Sequence, residues 1–100
     1  MVKHIVFWKF KDHADGREKA DNITRVREAL EDLPGNISQI SELEVGINSN
    51  PSSAAWDVAL YSSFATQDDL DLYQKHADHQ SVVELVGKVV MDRAVVDYEF

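Results

Sequence analysis

The sequence predicts an α+β domain: a four-stranded antiparallel sheet with two helical segments on one of its faces. Three observations carry this. Four segments rich in Val, Ile, Leu and aromatic residues alternate between two faces, the periodicity of strands. Two longer segments place apolar residues at helical spacing. Their order along the chain is βαββαβ, the split βαβ or ferredoxin-like arrangement. At 100 residues, and with no linker, repeat or low-complexity stretch, the chain is expected to be one domain over residues 1–100, because two halves would each have too small a core.

Val2 to Lys11 reads as the first strand. His4, Val6, Trp8 and Phe10 share one face; Lys3, Ile5, Phe7 and Lys9 share the other. Both faces are apolar at their centres, which predicts a strand covered on both sides. Asp12 to Gly35 reads as a loop followed by a helix. Asp15 and Glu18 have the spacing of a capping box, and Ala20, Ile23, Val26, Leu30 and Leu33 form the buried stripe. Arg17–Asp21 and Arg27–Glu31 lie at i,i+4, and Pro34-Gly35 stops the helix. Gln39 to Ile47 is the second strand, with Leu43, Val45 and Ile47 alternating with Glu42, Glu44 and Gly46. A polar loop, Asn48 to Ser53, leads to the third strand, Trp56 to Phe64.

Thr66 to Val90 reads as helical with a break. Thr66 is a suitable cap with acids in the first turn, and Leu70 and Tyr73 begin an apolar face. The polar run His76 to Ser81 interrupts it, and a second stripe follows at Val82, Val83, Leu85, Val86 and Val89. Met91 to Phe100 is the last strand, with Arg93, Val95 and Asp97 on one face and Ala94, Val96, Tyr98 and Phe100 on the other. Helices on one face leave Ile5, Phe7, Tyr61, Val96, Tyr98 and Phe100 uncovered. A second copy of the chain, packed sheet to sheet, is the simplest partner for them.

Ten basic residues against eighteen acidic ones give a net charge of −8. That balance excludes non-specific nucleic-acid binding and disfavours an anionic membrane surface. The excess is expected mostly on the helices. No cysteine is present, so neither a disulfide framework nor a Cys-based zinc site is possible, and a reducing compartment fits. No stretch approaches the ~18 apolar residues of a membrane span, and the apolar run at the start is too short for a signal segment. A soluble, cytoplasmic protein is the expectation.

Tyr73-x-x-His76-x-x-His79 is the cluster most able to carry chemistry. On a helix each residue neighbours the next at i,i+3. Histidine is the natural acid or base near neutral pH, and a tyrosine hydroxyl can donate to a carbonyl or enolate oxygen. A core tyrosine with a satisfied hydroxyl and solvated histidines would give the same pattern. His4 reads as a pocket-wall hydrogen-bonding residue or a satisfied core residue, and His13 as solvent-exposed. His76 and His79 lack the further ligands zinc would need, so no metal site is assigned. Arg93 and Asp97 are expected to pair with each other or with neighbours. There is no phosphate loop, nucleotide fingerprint or Ser-His-Asp constellation.

Taken together these segments resemble the stress-responsive dimeric α/β-barrel (Dabb) family. The resemblance runs through Val2-Lys3-His4-Ile5-Val6, Lys9-Phe10-Lys11, Gly46-Ile47-Asn48, Trp56-Asp57, Tyr73-x-x-His76-x-x-His79 and Val95-Val96-Asp97-Tyr98. It implies a ferredoxin-like subunit pairing sheet to sheet into a homodimeric α/β barrel. The family includes stress proteins that form stable oligomers and a plant cyclase that makes olivetolic acid without metal or cofactor. Tyr73 and His79 match that cyclase's tyrosine and histidine, which implies His79 as general base and Tyr73 as the group steadying the oxyanion. His4 and His76 match its other histidines. Val58 stands near where the cyclase has a further pocket histidine. Asn22, Ile23 and Val26 replace its aromatic tail-holding residues, and Arg93 replaces an apolar one, so the resemblance implies a different substrate.

The expected function is a small-molecule pocket between sheet and helices. Tyr73 and His79 are the catalytic candidates, and His4, Val6, Trp8, Ile23, Val26, Val58, Leu60, His76, Arg93 and Val95 the candidate wall. The ligand would be a small apolar or carbonyl-containing molecule. If the protein is an enzyme, it is expected to be a cofactor-free, polyketide-cyclase-like lyase. A non-enzymatic stress or oligomeric structural protein, and a cofactor-independent monooxygenase, are the alternatives.

Overall fold

The computed structural model describes residues 1–100. Its principal sheet holds β1 (Val2–Phe10), β4 (Ile40–Ile47), β5 (Val58–Phe64) and β6 (Val90–Glu99). The strand order is β4-β5-β1-β6 and every pairing is antiparallel. Three helices, α1 (Lys19–Glu31), α2 (Gln67–Lys75) and α3 (Ala77–Val89), accompany the sheet. This is the ferredoxin-like α+β fold. None of the helices is long and apolar enough to cross a membrane.

β1 is central, and its burial alternates residue by residue: Val2, His4, Val6, Trp8 and Phe10 are buried, and the residues between them half-buried. Val6, Trp8 and Phe10 join Val26, Leu30, Leu60, Phe64, Leu70 and Tyr73 in the core between sheet and helices. On the opposite face Val96, Tyr98 and Phe100 are exposed, beside half-buried Ile5, Phe7 and Tyr61. Lys3 lies over the Phe100 ring at 4.5 Å and Lys9 over Trp56 at 4.9 Å, so their stems and charges sit among aromatic rings.

Three sequence expectations change. The Asp15–Glu18 capping box does not form. Asp15 (φ 52°) and Gly16 (φ 73°) make the turn of a small hairpin, β2 (His13–Ala14) with β3 (Arg17–Glu18). An Asp-Gly pair favours the two positive φ angles of a type I′ turn, and here that preference prevails over capping. The Asp15 carboxylate instead meets Arg17 and Arg25, and Glu18 precedes α1 without a side-chain cap bond. Arg17 therefore lies outside the helix, and its expected i,i+4 pair with Asp21 is lost, whereas Arg27–Glu31 forms at 3.5 Å.

The third strand starts at Val58 rather than Trp56. Asp57 turns inward, its backbone N–H donating to the Trp8 carbonyl and its carboxylate accepting from the Phe10 N–H at 2.7 Å. Finally, the acidic residues do not lie mostly on the helices: α1, α2 and α3 hold eight of the eighteen, and Glu42, Glu44, Asp92, Asp97 and Glu99 stand on β4 and β6.

Candidate functional site

The site is built around the break between α2 and α3. Thr66 caps α2, its hydroxyl oxygen accepting from the Asp69 N–H at 3.1 Å. Tyr73 lies in the last turn of α2. His76 then leaves the helical conformation (φ −63°, ψ 138°) and caps α3, its Nδ1 accepting from the Asp78 N–H at 3.1 Å. α3 restarts in a new direction and brings His79 back over Tyr73, with ring centroids 4.4 Å apart. The expected i,i+3 ladder Tyr73–His76–His79 is thus replaced by direct contact of its two ends, and His76 serves the backbone.

A cavity of about 380 Å³ lies beside this contact. β1 supplies His4, Val6 and Trp8 to its wall, β5 Leu60, β6 Val90 and Arg93, α1 Leu30, α2 Tyr73, and α3 His79, Val82, Val83, Val86 and Gly87. Val83 and Arg93 are exposed and mark where it meets solvent. Its volume is near the lower end for small-molecule pockets, and its lining is mainly apolar with a few polar groups. A more open depression of about 430 Å³ at the β2–β3 hairpin has a single apolar residue, Ala14, and lies away from these groups.

The polar groups have defined hydrogen-bonding states. His79 Nδ1 lies 3.1 Å from the Gln74 carbonyl, which can only accept, so the proton is on Nδ1 and Nε2 carries the lone pair. Burial pushes the His79 pKa below its ordinary 6.5; the Gln74 hydrogen bond opposes this, and the His4, Arg93 and His76 charges add to it. A neutral imidazole with a free Nε2 is a base. Burial pushes the Tyr73 phenol up to about 12, so it stays protonated and can donate. Its hydroxyl, and the indole Nε1 of Trp8, are buried with no hydrogen-bond partner.

His4 is buried at 3% exposure and packs edge-on to Tyr73 at 6.3 Å. Its Nδ1 donates to the Asp97 carboxylate at 2.5 Å, and the Ser62 hydroxyl donates to its backbone carbonyl at 2.8 Å. Asp97 therefore pairs across the β1–β6 ladder and not with Arg93.

Of the residues singled out from sequence, the cavity brings together His4, Val6, Trp8, Leu60, Tyr73, His79 and Arg93. Ile23, Val26, Val58, His76 and Val95 do not line it. Val26 and Val58 are buried in the core, Ile23 packs half-buried against it, His76 is held by its capping bond, and Val95 lies exposed on edge strand β6. Sequence reasoning placed Val82, Val83 and Val86 in the helix core. Their spacing did signal an apolar face, but not that this face borders a cavity. No group of three or more His, Asp or Glu side chains is placed to hold a metal ion.

The family model described as the stress-responsive A/B barrel domain matches residues 2–100. No curated protein matches the sequence. Among solved structures, a dimeric ferredoxin-like protein of unknown function from Bacteroides fragilis is 41% identical with TM-score 0.88, over 99% of this chain and 95% of that one. A dimeric ferredoxin-like protein of unknown function from Thermobifida fusca is 22% identical with TM-score 0.85, over 99% and 90%. The hydroxynitrile lyase from Passiflora edulis is 17% identical with TM-score 0.83, over 97% and 90%; at that identity, as with the previous structure, the likeness is one of fold.

Proposed function

The chain belongs to the stress-responsive A/B barrel family, and from that premise we propose that it is a homodimeric small-molecule-binding protein whose cavity performs cofactor-free acid–base chemistry on a carbonyl compound. The observation that carries this is the pairing of a buried phenol without an acceptor and an imidazole with a free Nε2, in ring contact beside an apolar cavity. A core tyrosine is expected to have a satisfied hydroxyl.

A substrate carbonyl oxygen supplies the acceptor that Tyr73 lacks. His79 Nε2 removes a proton from the carbon next to that carbonyl, and the electron pair of the C–H bond moves to the oxygen as an enolate. The Tyr73 hydroxyl stabilises the developing charge, a contribution worth about 10²–10³ in rate for one such donor. The enolate carbon then attacks a second carbonyl in the same molecule. The alkoxide so formed takes the proton back from His79, giving an intramolecular aldol closure with no external electron donor or acceptor. His4, fixed by Asp97, together with Val6, Trp8 and Leu60 forms the wall against which the substrate is held.

Two features support the homodimer: the apolar outer sheet face, and the dimeric state given for the Bacteroides fragilis relative. The proposal is tested by solvent-deuterium incorporation next to the carbonyl of 4-phenylbutan-2-one, followed by NMR. Exchange above the buffer rate that is lost in His79→Ala and reduced in Tyr73→Phe is expected. Exchange that survives His79→Ala unchanged, or no exchange with the wild type, overturns it.

A further inference from the structure

Arg93 bears on the end of the substrate that does not meet Tyr73 and His79. The protein carries a net charge of −8, yet no carboxylate lines the cavity, and Arg93 is its one arginine or lysine. The Arg93 guanidinium makes no hydrogen bond or ion pair, whereas Arg17, Arg25 and Arg27 each meet an acid. The nearest candidate on its own strand face, Asp97, is taken by His4. Arg93 stands opposite Trp8 in the β1–β6 register, and the buried Trp8 Nε1 has no acceptor. Of these two neighbours only the exposed Arg93 presents unpartnered N–H donors at the cavity mouth; the Trp8 Nε1 is shut away from solvent. In an acidic protein, an unpaired arginine at the rim of an apolar cavity is placed to meet an anion from outside the chain, and a guanidinium fits a carboxylate in a two-pronged arrangement.

We infer that the ligand of this cavity is an oxo acid: an apolar molecule whose carbonyl reaches Tyr73 and His79 and whose carboxylate is held by Arg93. This rests on the reading of the cavity as a carbonyl site and adds the charge of the substrate to it. Arg93 then acts as the residue that selects acids over their neutral relatives and fixes which end of the molecule enters first.

The test uses 4-benzoylbutyrate and its methyl ester, which differ in charge but share the ketone and the aryl group. Affinities are measured by calorimetry for the wild type, Arg93→Gln and Arg93→Lys, each checked for native circular dichroism. The acid is expected to bind the wild type at least tenfold more tightly than the ester. Arg93→Gln is expected to bring that ratio close to one, Arg93→Lys to keep part of it, and added salt to reduce it. Equal binding of acid and ester to the wild type, or a preference that persists in Arg93→Gln, overturns the inference and leaves the carbonyl site standing. Binding of neither compound to the wild type overturns both.

Discussion

Removing the Tyr73 hydroxyl is expected to stabilise the protein while it damages the site. The side chain is fully buried, and its oxygen has no hydrogen-bond partner. A buried donor left unsatisfied costs about 1–3 kcal/mol. Tyr73→Phe removes that cost and leaves behind a space of a single oxygen atom, so the net gain expected is about 1 kcal/mol or more. For a domain of 60–100 residues each kcal/mol moves Tm by roughly 4–8 °C. The assay is thermal unfolding followed by circular dichroism, at one fixed protein concentration because a dimer's Tm depends on concentration. The same variant should lose ketone exchange by about 10²–10³. The sign of the stability change is what decides. A satisfied core tyrosine loses roughly 1 kcal/mol on conversion to phenylalanine. A fall in Tm would mean that the hydroxyl has a partner and that the site is ordinary core packing.

Three further outcomes are expected. Burial holds the His79 pKa below 6.5 in the folded state, so between that lowered value and 6.5 the unfolded chain binds more protons. The associated stability is therefore complete above pH 6.5 and is lost as pH falls through the folded value, and exchange activity should fall in the same window. An NMR titration of His79 with its midpoint at or above 6.5 would contradict this. His76→Ala removes the α3 cap and should cost about 1 kcal/mol, with much of that restored by His76→Asn, which can cap; thermal unfolding of both variants tests it. Val96→Glu places a charge on the exposed apolar sheet face and should weaken self-association by more than about tenfold, or 1.4 kcal/mol, in sedimentation; an unchanged dimer would show that this face is not the interface.

The sheet was legible because its strands alternate in sequence, and in β1 that alternation matches burial residue by residue. Its outer face was legible for the same reason: Val96, Tyr98 and Phe100 fall on the parity opposite to Arg93, Val95 and Asp97. The hairpin before α1 was missed because Asp15 satisfies two local rules at once, capping and the Asp-Gly turn, and the spacing of Asp15 and Glu18 does not say that the turn prevails. The partner of Asp97 was open because a strand carries no record of its neighbour's register. That Asp97 faces His4, and that Arg93 faces Trp8, follows from the β1–β6 pairing across more than eighty residues of chain. Val82, Val83 and Val86 were legible as an apolar stripe, but a stripe facing a cavity and one facing packed side chains have the same spacing.

The site itself turns on His76, which does not line it. At about 100° per residue, Tyr73 and His79 on a continuous helix would point roughly 120° apart and lie more than a turn apart along the axis. Their rings could not then meet at 4.4 Å. They meet because the helix ends at Lys75 and restarts at Ala77. His76 makes that possible by satisfying the Asp78 N–H that a fresh helix start leaves open. The polar run around it has no apolar side chain large enough to hold a continuous helix against the sheet. The restart also brings Val82, Val83 and Val86 into the cavity wall that His4, Val6 and Trp8 share. A side chain that read as a candidate wall residue between two catalytic candidates is thus the capping group that lets those two converge. The buried phenol, the neutral imidazole and the cavity all depend on that backbone break.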